Sequence, residues 1–155
     1  MKDLDCSHVG KRFPTVQASV DATEIGAFAL AIGETDRVYF DESAAIERGY
    51  RSIPAPPTFA FCLKMKHQSE SPDRLLWRVL GTDGAGITLL HAEQAFVYES
   101  AICAGDVLTF EEHIADIYEK KGGALVFVVL ETRVTNQLGR HVASFRHTEA
   151  ARRDT

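Results

Sequence analysis

Long apolar runs are missing from this sequence. No stretch approaches the roughly 18 apolar residues of a membrane span, and the opening "MKDLDCSHVGKRFP" lacks the apolar core of a signal peptide. Cysteine is scarce: Cys6, Cys62 and Cys103 lie far apart and form no Cys-x-x-Cys pair. An odd, scattered set argues against a disulfide framework and points to a reducing cytoplasm. Positive charge is not gathered either. With a formal net charge of −5 and basic residues dispersed except in "EKKGG" and "ARRD", neither nucleic acid nor a membrane is an expected partner. His113, His141 and His147 show no ligand spacing and no Cys/His cluster occurs, so neither a metal nor any other cofactor is expected. "GTDGAG" has three glycines but neither the lysine nor the strand-turn-helix context of a phosphate loop, and reads as a crossover. Internal repeats and low-complexity segments are absent.

What is present suffices for a self-supporting core. A chain of 155 residues is about one domain long, and such a domain buries roughly 70% of the surface of its unfolded chain. "TVQASV" alternates as a short strand. "DATEIGAFALAIG" predicts a helix with Asp21 as N-cap and Glu24 at the capping-box position, Ile25, Phe28, Ala29 and Ile32 on one face, and Gly33 as its stop. "DESAAIERG" predicts a second helix, capped by Asp41 and closed by Gly49. After "PAPP" excludes helix, "TFAFCLKMKH" predicts a third and buried one, with Cys62 an inert thiol inside it.

From Leu89 onward the period becomes two: "HAEQAFVYES", "DVLTFEEHIADIYE", "ALVFVVLETRVTN" and "HVASFRHTEA" predict strands. They are separated by "AICAG", "KKGG" and "QLG", each of hairpin length. Helices first and strands second predict one α+β domain, residues 1–155, with the helical part on a single sheet face. "ALVFVVL", apolar on both faces, predicts an interior strand covered on each side.

Between Val16 and His147, "AIGETDRVYFDESAAIERGYRSIPAPPTFAF" followed by "LLHAEQAFVYESAICAGDVLTFEEHIADIYEKKGG" resembles the N-terminal domain of MaoC-like dehydratases, the FAS1-like dehydratase group. The resemblance implies a hot-dog fold, in which a long central helix is wrapped by a curved antiparallel β-sheet and a second hot dog is usually paired alongside. It also implies acyl thioesters of coenzyme A or acyl carrier protein as ligands, and hydration or dehydration across an acyl double bond as the family chemistry.

Catalytic relatives carry a glycine-aspartate-x-asparagine-proline-x-histidine loop after the first helix. Against that pattern Gly33 matches, Glu34 stands for the aspartate, Asp36 for the asparagine, Arg37 for the proline and Tyr39 for the histidine. A phenol with an ordinary pKa near 10 is a poor base at neutral pH. Where the relatives' helix opens with a histidine-glycine pair whose amide polarises the thioester carbonyl, this chain has Pro56 and Pro57, and proline has no N–H. The amides of Thr58, Phe59 and Ala60 are left as candidate contacts for a carbonyl or an anion. Arg48, Arg51, Arg74 and Arg78 are candidates for the carrier's phosphates.

Outside the loop, alternation places His91 and Glu93 on one strand face and Gln94 on the other, so His91 is a candidate base oriented by Glu93. Catalytic candidates are therefore Glu34, Tyr39, His91 and Glu93, beside bland alternatives: Glu34 and Asp36 in a solvated turn, Asp41 as a cap, Tyr39 as packing and His91 as a hydrogen-bonded structural residue. Three functions stay open. The resemblance favours a substrate-binding partner for a catalytically complete hot dog, with its own aspartate-histidine dyad degenerate; the alternatives are an autonomous hydratase or thioesterase using Glu34 or His91, and an acyl-CoA binding protein without chemistry.

Overall fold

The computed structural model describes residues 6–69, 77 and 87–153. Strand β1 (Val16–Ser19) leads into helix α1 (Ala22–Ala31), a short 3-10 turn at Arg37–Tyr39, helix α2 (Glu42–Glu47) and helix α3 (Phe59–His67). Strands β2 (Ile87–Tyr98), β3 (Val107–Lys120), β4 (Leu125–Thr135) and β5 (His141–Arg153) follow, and the α+β order is the one the periodicities predict. All pairings are antiparallel, in the order β1-β3-β4-β5-β2. "KKGG" and "QLG" are hairpins, the former turning on left-handed Lys121, Gly122 and Gly123. "AICAG" is not. β2 pairs with β5, so this segment carries the chain from one end of the sheet back to β3 near the other. Backbone bonds between Ala55 and Ile102 and between Ala104 and Ile53, each 2.8 Å, tie it to the proline segment before α3.

The helix signals are met at their starts. Asp21 accepts from the amides of Thr23 and Glu24 at 2.8 and 3.1 Å, and Asp41 from those of Ser43 and Ala44 at 2.9 and 3.3 Å, satisfying donors that a helix start leaves unpaired. Glu24 turns its carboxylate to Lys66 on α3. Of the expected α1 face, Ile25 and Ala29 are buried and Phe28 packs beside them, but Ile32 lies past the last turn and is exposed. α3 buries Phe59, Ala60, Leu63 and Lys64. This i, i+1, i+4 spacing turns Cys62 outward, so Cys62 is exposed and Cys103 is the buried cysteine, the reverse of the expectation from an apolar helix.

One core joins α1 and α3 to β1, β3, β4 and β5 through Val16, Ile25, Phe59, Leu63, Leu108, Phe110, Val134 and Phe145. A second, around Ile114, Ile117, Val128 and Leu130, takes in Phe13 and Leu89. β4 is interior, as expected, but two-sided cover holds only in part. Val128, Leu130, Thr132 and Val134 are buried on one face and Val129 on the other, whereas Phe127 is half-buried and stacks on Tyr118 beneath Lys120. Among the described residues no helix is long and apolar enough to cross a membrane.

Candidate functional site

A cavity of about 400 Å³ opens at the start of α3, lined by Pro56, Pro57 and Ala60 of that segment, Tyr39 and Tyr50 of the preceding loops, and Tyr98 to Ile102 at the end of β2. Local sequence places each wall. Gly33 adopts φ +82°, a left-handed conformation that stops α1, and the Glu34 amide bonds back to the Ala29 carbonyl at 2.9 Å. Asp36 then caps the 3-10 turn at Val38 and pairs with Arg48 at 2.6 Å; that backbone bond first, and Arg48 after it, hold its carboxyl below the ordinary range. Asp41 caps α2 and pairs with Arg37. The acidic residues of this loop, Glu34 aside, are occupied in ending and starting helices.

Tyr39 does reach the cavity, where burial first and then the charge of Glu34 push its phenol above the ordinary value. Both effects disfavour the phenolate, so at neutral pH Tyr39 is a hydrogen-bond donor and not a base. Tyr98, pushed up to about 12 by burial, donates to the Pro57 carbonyl. No histidine lines this cavity among the described residues, and its carboxylate, Glu99, is exposed. At the helix start, the Phe59 amide is bonded to the Pro56 carbonyl at 2.9 Å, and Phe59 itself is in the core. The expectation of three free amides is thereby reduced. Pro57 and Ala60 line the cavity; Thr58 occupies the N-cap without a side-chain cap bond. Arg48 is held by Asp36 and Arg51 by Asp106, while Arg74 and Arg78 lie outside the described residues.

His91 belongs to another place. A second cavity, of about 90 Å³, lies beside the later turns of α3 between Phe13, Phe61, Lys64, Gln68, Leu130, His147 and Glu149, with His91 at its wall. His91 meets Glu149 at 3.1 Å and stacks on His147, ring centroids 5.7 Å apart. The expected partnership with Glu93 fails for a backbone reason. A bulge at Ala92 sets His91 opposite Glu149 but Glu93 opposite Thr148. Facing residues share a side, so the extra residue puts His91 and Glu93 on opposite faces and returns Gln94, opposite His147, to the face of His91. Glu93 instead accepts from the Thr148 hydroxyl at 3.4 Å.

Residues 7–145 match the family described as the FAS1-like dehydratase domain region. The chain belongs to this family. A UPF0336 protein of Streptomyces avermitilis is 34% identical over 145 residues, spanning 91% of this chain and 90% of the relative. Among solved structures, the C-terminally truncated HadBC (3R-hydroxyacyl-ACP dehydratase) complex from Mycobacterium tuberculosis superposes with a TM-score of 0.74 at 26% identity, over 92% of this chain and 96% of that one. The ChsH1–ChsH2 complex from the same organism superposes with a TM-score of 0.78 at 17% identity, over 94% and 86%. The fold is the hot dog, a curled five-stranded antiparallel sheet with a helix.

Within this FAS1-like dehydratase fold, sequence reasoning missed Lys64, Glu112 and His147. Lys64 and Glu112 form an ion pair whose side chains are only 2% and 6% exposed, and His147 is pushed down to about 3 by burial first, then by Lys64 and His91. A signal existed. Phe110, Glu112 and Ile114 alternate with one another, as do Phe145 and His147, so a period of two already aims the polar members inward.

Proposed function

We propose that this chain is a substrate-holding subunit of a paired hot-dog dehydratase, in which a second hot dog supplies the carboxylate and imidazole that move protons. The carrying observation is the 400 Å³ cavity at the start of α3, with a protonated phenol, Tyr39, where an imidazole would act as base and Pro57 where an amide would donate. Such a wall can hold an acyl thioester by apolar contact and by hydrogen bonds from Tyr39. Among the described residues it contains no histidine to abstract a proton. The pairing is supported by the outer edge of β2, twelve residues long with Leu90 and Val97 exposed and no further strand beside it among the described residues, since an edge of that length invites one. It is supported too by the likeness to the HadBC and ChsH1–ChsH2 complexes, each named for two subunits.

The test is to express the chain alone and together with a hot-dog subunit that retains the aspartate-histidine loop, then measure crotonyl-CoA hydration by each and by the pair. The pair should turn over, and the chain alone should not. Turnover by the isolated chain within the usual enzymatic range of roughly 1 to 1,000 per second would sink the reading.

A second reading, autonomous chemistry at His91, is favoured by one contact: Glu149 orients the ring at 3.1 Å, a carboxylate–imidazole arrangement suited to a general base. In that case His91→Ala should remove roughly a hundredfold to ten-thousandfold of whatever activity the isolated chain has. Tyr39→Phe should leave it nearly intact.

A further inference from the structure

We propose that the cavity beside the later turns of α3 is a binding site for a small, uncharged, hydroxyl-bearing molecule of short-alkanol size, recognised by Gln68 and His147. This site is separate from the acyl cavity at the start of α3, and the proposal does not depend on the dehydratase reading.

The register of the sheet assembles it. Ile114 on β3, Leu130 on β4, His147 on β5 and Gln94 on β2 lie opposite one another in one row, and Val128, Glu149 and His91 in the next. The inward polar members of these rows face α3, where Phe61, Lys64 and Gln68 project on one side of the helix. The cavity measures about 90 Å³. An apolar cavity of roughly 150 Å³ accepts benzene, so this one suits a molecule of roughly four to five heavy atoms. Phe13, Phe61 and Leu130 supply apolar wall for an alkyl portion.

Two residues that line the cavity each carry a buried polar atom without a hydrogen-bond partner: Nδ1 of His147, a residue 4% exposed, and Oε1 of Gln68. Leaving such atoms dry is unfavourable, so a complementary group is called for. An amide oxygen only accepts, which requires a donor from the ligand, whereas an imidazole nitrogen donates or accepts according to its tautomer. A hydroxyl serves both. A ketone or a carboxylate cannot donate to Gln68.

Charge narrows the choice further. Lys64 already gives its ammonium to both oxygens of Glu112, and Glu149 is engaged by His91. An incoming carboxylate would meet Glu149 with no spare cation, and an incoming ammonium would have to displace His91 from Glu149 while lying beside the charge of Lys64. Burial that keeps His147 unprotonated fits the same conclusion. A neutral ligand is left. The buried ion pair is itself an argument for a purpose, because packed apolar residues in its place would serve stability as well or better.

The experiment is an NMR titration of the full chain with 1-butanol, using 2-butanone, butyrate and butylammonium as comparators. Butanol should give saturable shifts at the His147 and Phe61 rings, with affinity roughly tenfold or more above that of 2-butanone, and the two ions should leave those resonances unmoved. Gln68→Leu, at a half-buried position just past α3, should lose roughly tenfold of the alcohol affinity. His147→Phe should do the same; if that variant fails to fold, Gln68→Leu decides. Absence of any saturable shift would mean that the cavity holds water only and would overturn the proposal. So would equal binding of 2-butanone, tighter binding of butyrate, or an unchanged affinity in Gln68→Leu.

Discussion

Glu112→Leu strands a charge in the core. The partner ammonium, Lys64, is 2% exposed and rests 5.9 Å from the centroid of Phe61, and both of its hydrogen bonds go to Glu112. Removing one member of such a pair leaves the other buried and uncompensated, which costs about 3–5 kcal/mol. For a chain of this length each kcal/mol lowers Tm by roughly 2–4 °C, so the loss should be about 6–20 °C. Lys64→Met alone should cost a similar amount by stranding the carboxylate. The double variant Lys64→Met/Glu112→Leu should return to within about 1 kcal/mol of the parent, because it removes the desolvation penalty together with the attraction. Urea unfolding of all four proteins at one protein concentration gives the cycle, the fixed concentration removing any contribution from association. Single variants losing less than about 1 kcal/mol, or a double variant as unstable as the two singles added, would show that the pair is neither desolvated nor coupled in solution.

His147, pushed down to about 3, is neutral when folded, while an unfolded histidine takes up a proton below roughly pH 6.5. The unfolded state therefore binds the extra proton in that window; stability should be full above about 6.5 and fall by a few kcal/mol as pH drops toward 3, and His147→Phe should flatten this part of the profile. Equal acid sensitivity in that variant would refute the assignment. Asp41→Ala should cost about 1 kcal/mol by uncapping α2, readable in the same melts, and no loss would mean that solvent replaces the cap. In the proposed pair, Tyr39→Phe should raise KM for the acyl thioester with little change in kcat, since a phenol that only donates a hydrogen bond contributes to binding. A collapse of kcat with KM unchanged would make it part of the proton-transfer machinery.

The helix starts at Asp21 and Asp41 were legible because a cap is a local event: a carboxylate two or three residues before free amides has little else to do. The four long strands were legible by their period. Strand order was not, since "AICAG" has the length of a hairpin and nothing in it says that β2 pairs with β5 instead of β3. Nor was the bulge at Ala92, one residue with no glycine to announce it, which moved Glu93 off the face of His91 and replaced it with Glu149 from 58 positions further on. Long-range partners of this kind depend on register, and register is fixed by the whole sheet. Cys62 and Ile32 were misjudged for a related reason: an apolar residue near a helix end is buried only if something lies opposite it.

The altered loop and the altered helix start are two faces of one cavity. Tyr39 and Pro57 line the same space at the start of α3, so under the proposed function the base and the carbonyl donor of the family chemistry are both missing from the walls of one cavity. Replacing Tyr39 by histidine would return an imidazole to a wall on which Pro57 still has no N–H to give and the Phe59 amide is already bonded to Pro56. Asp36, which stands for the family's asparagine, would also remain committed to Val38 and Arg48. A base without a polarised carbonyl has little acidity to work on, because the proton beside a thioester becomes removable only as negative charge on the oxygen is stabilised. The cavity itself persists, and Tyr98 braces its rim through the carbonyl of Pro57. Under the proposed function, a shaped space that has lost the imidazole and the amide at Pro57 is what separates binding from turnover, and a second subunit is then the source of the missing base.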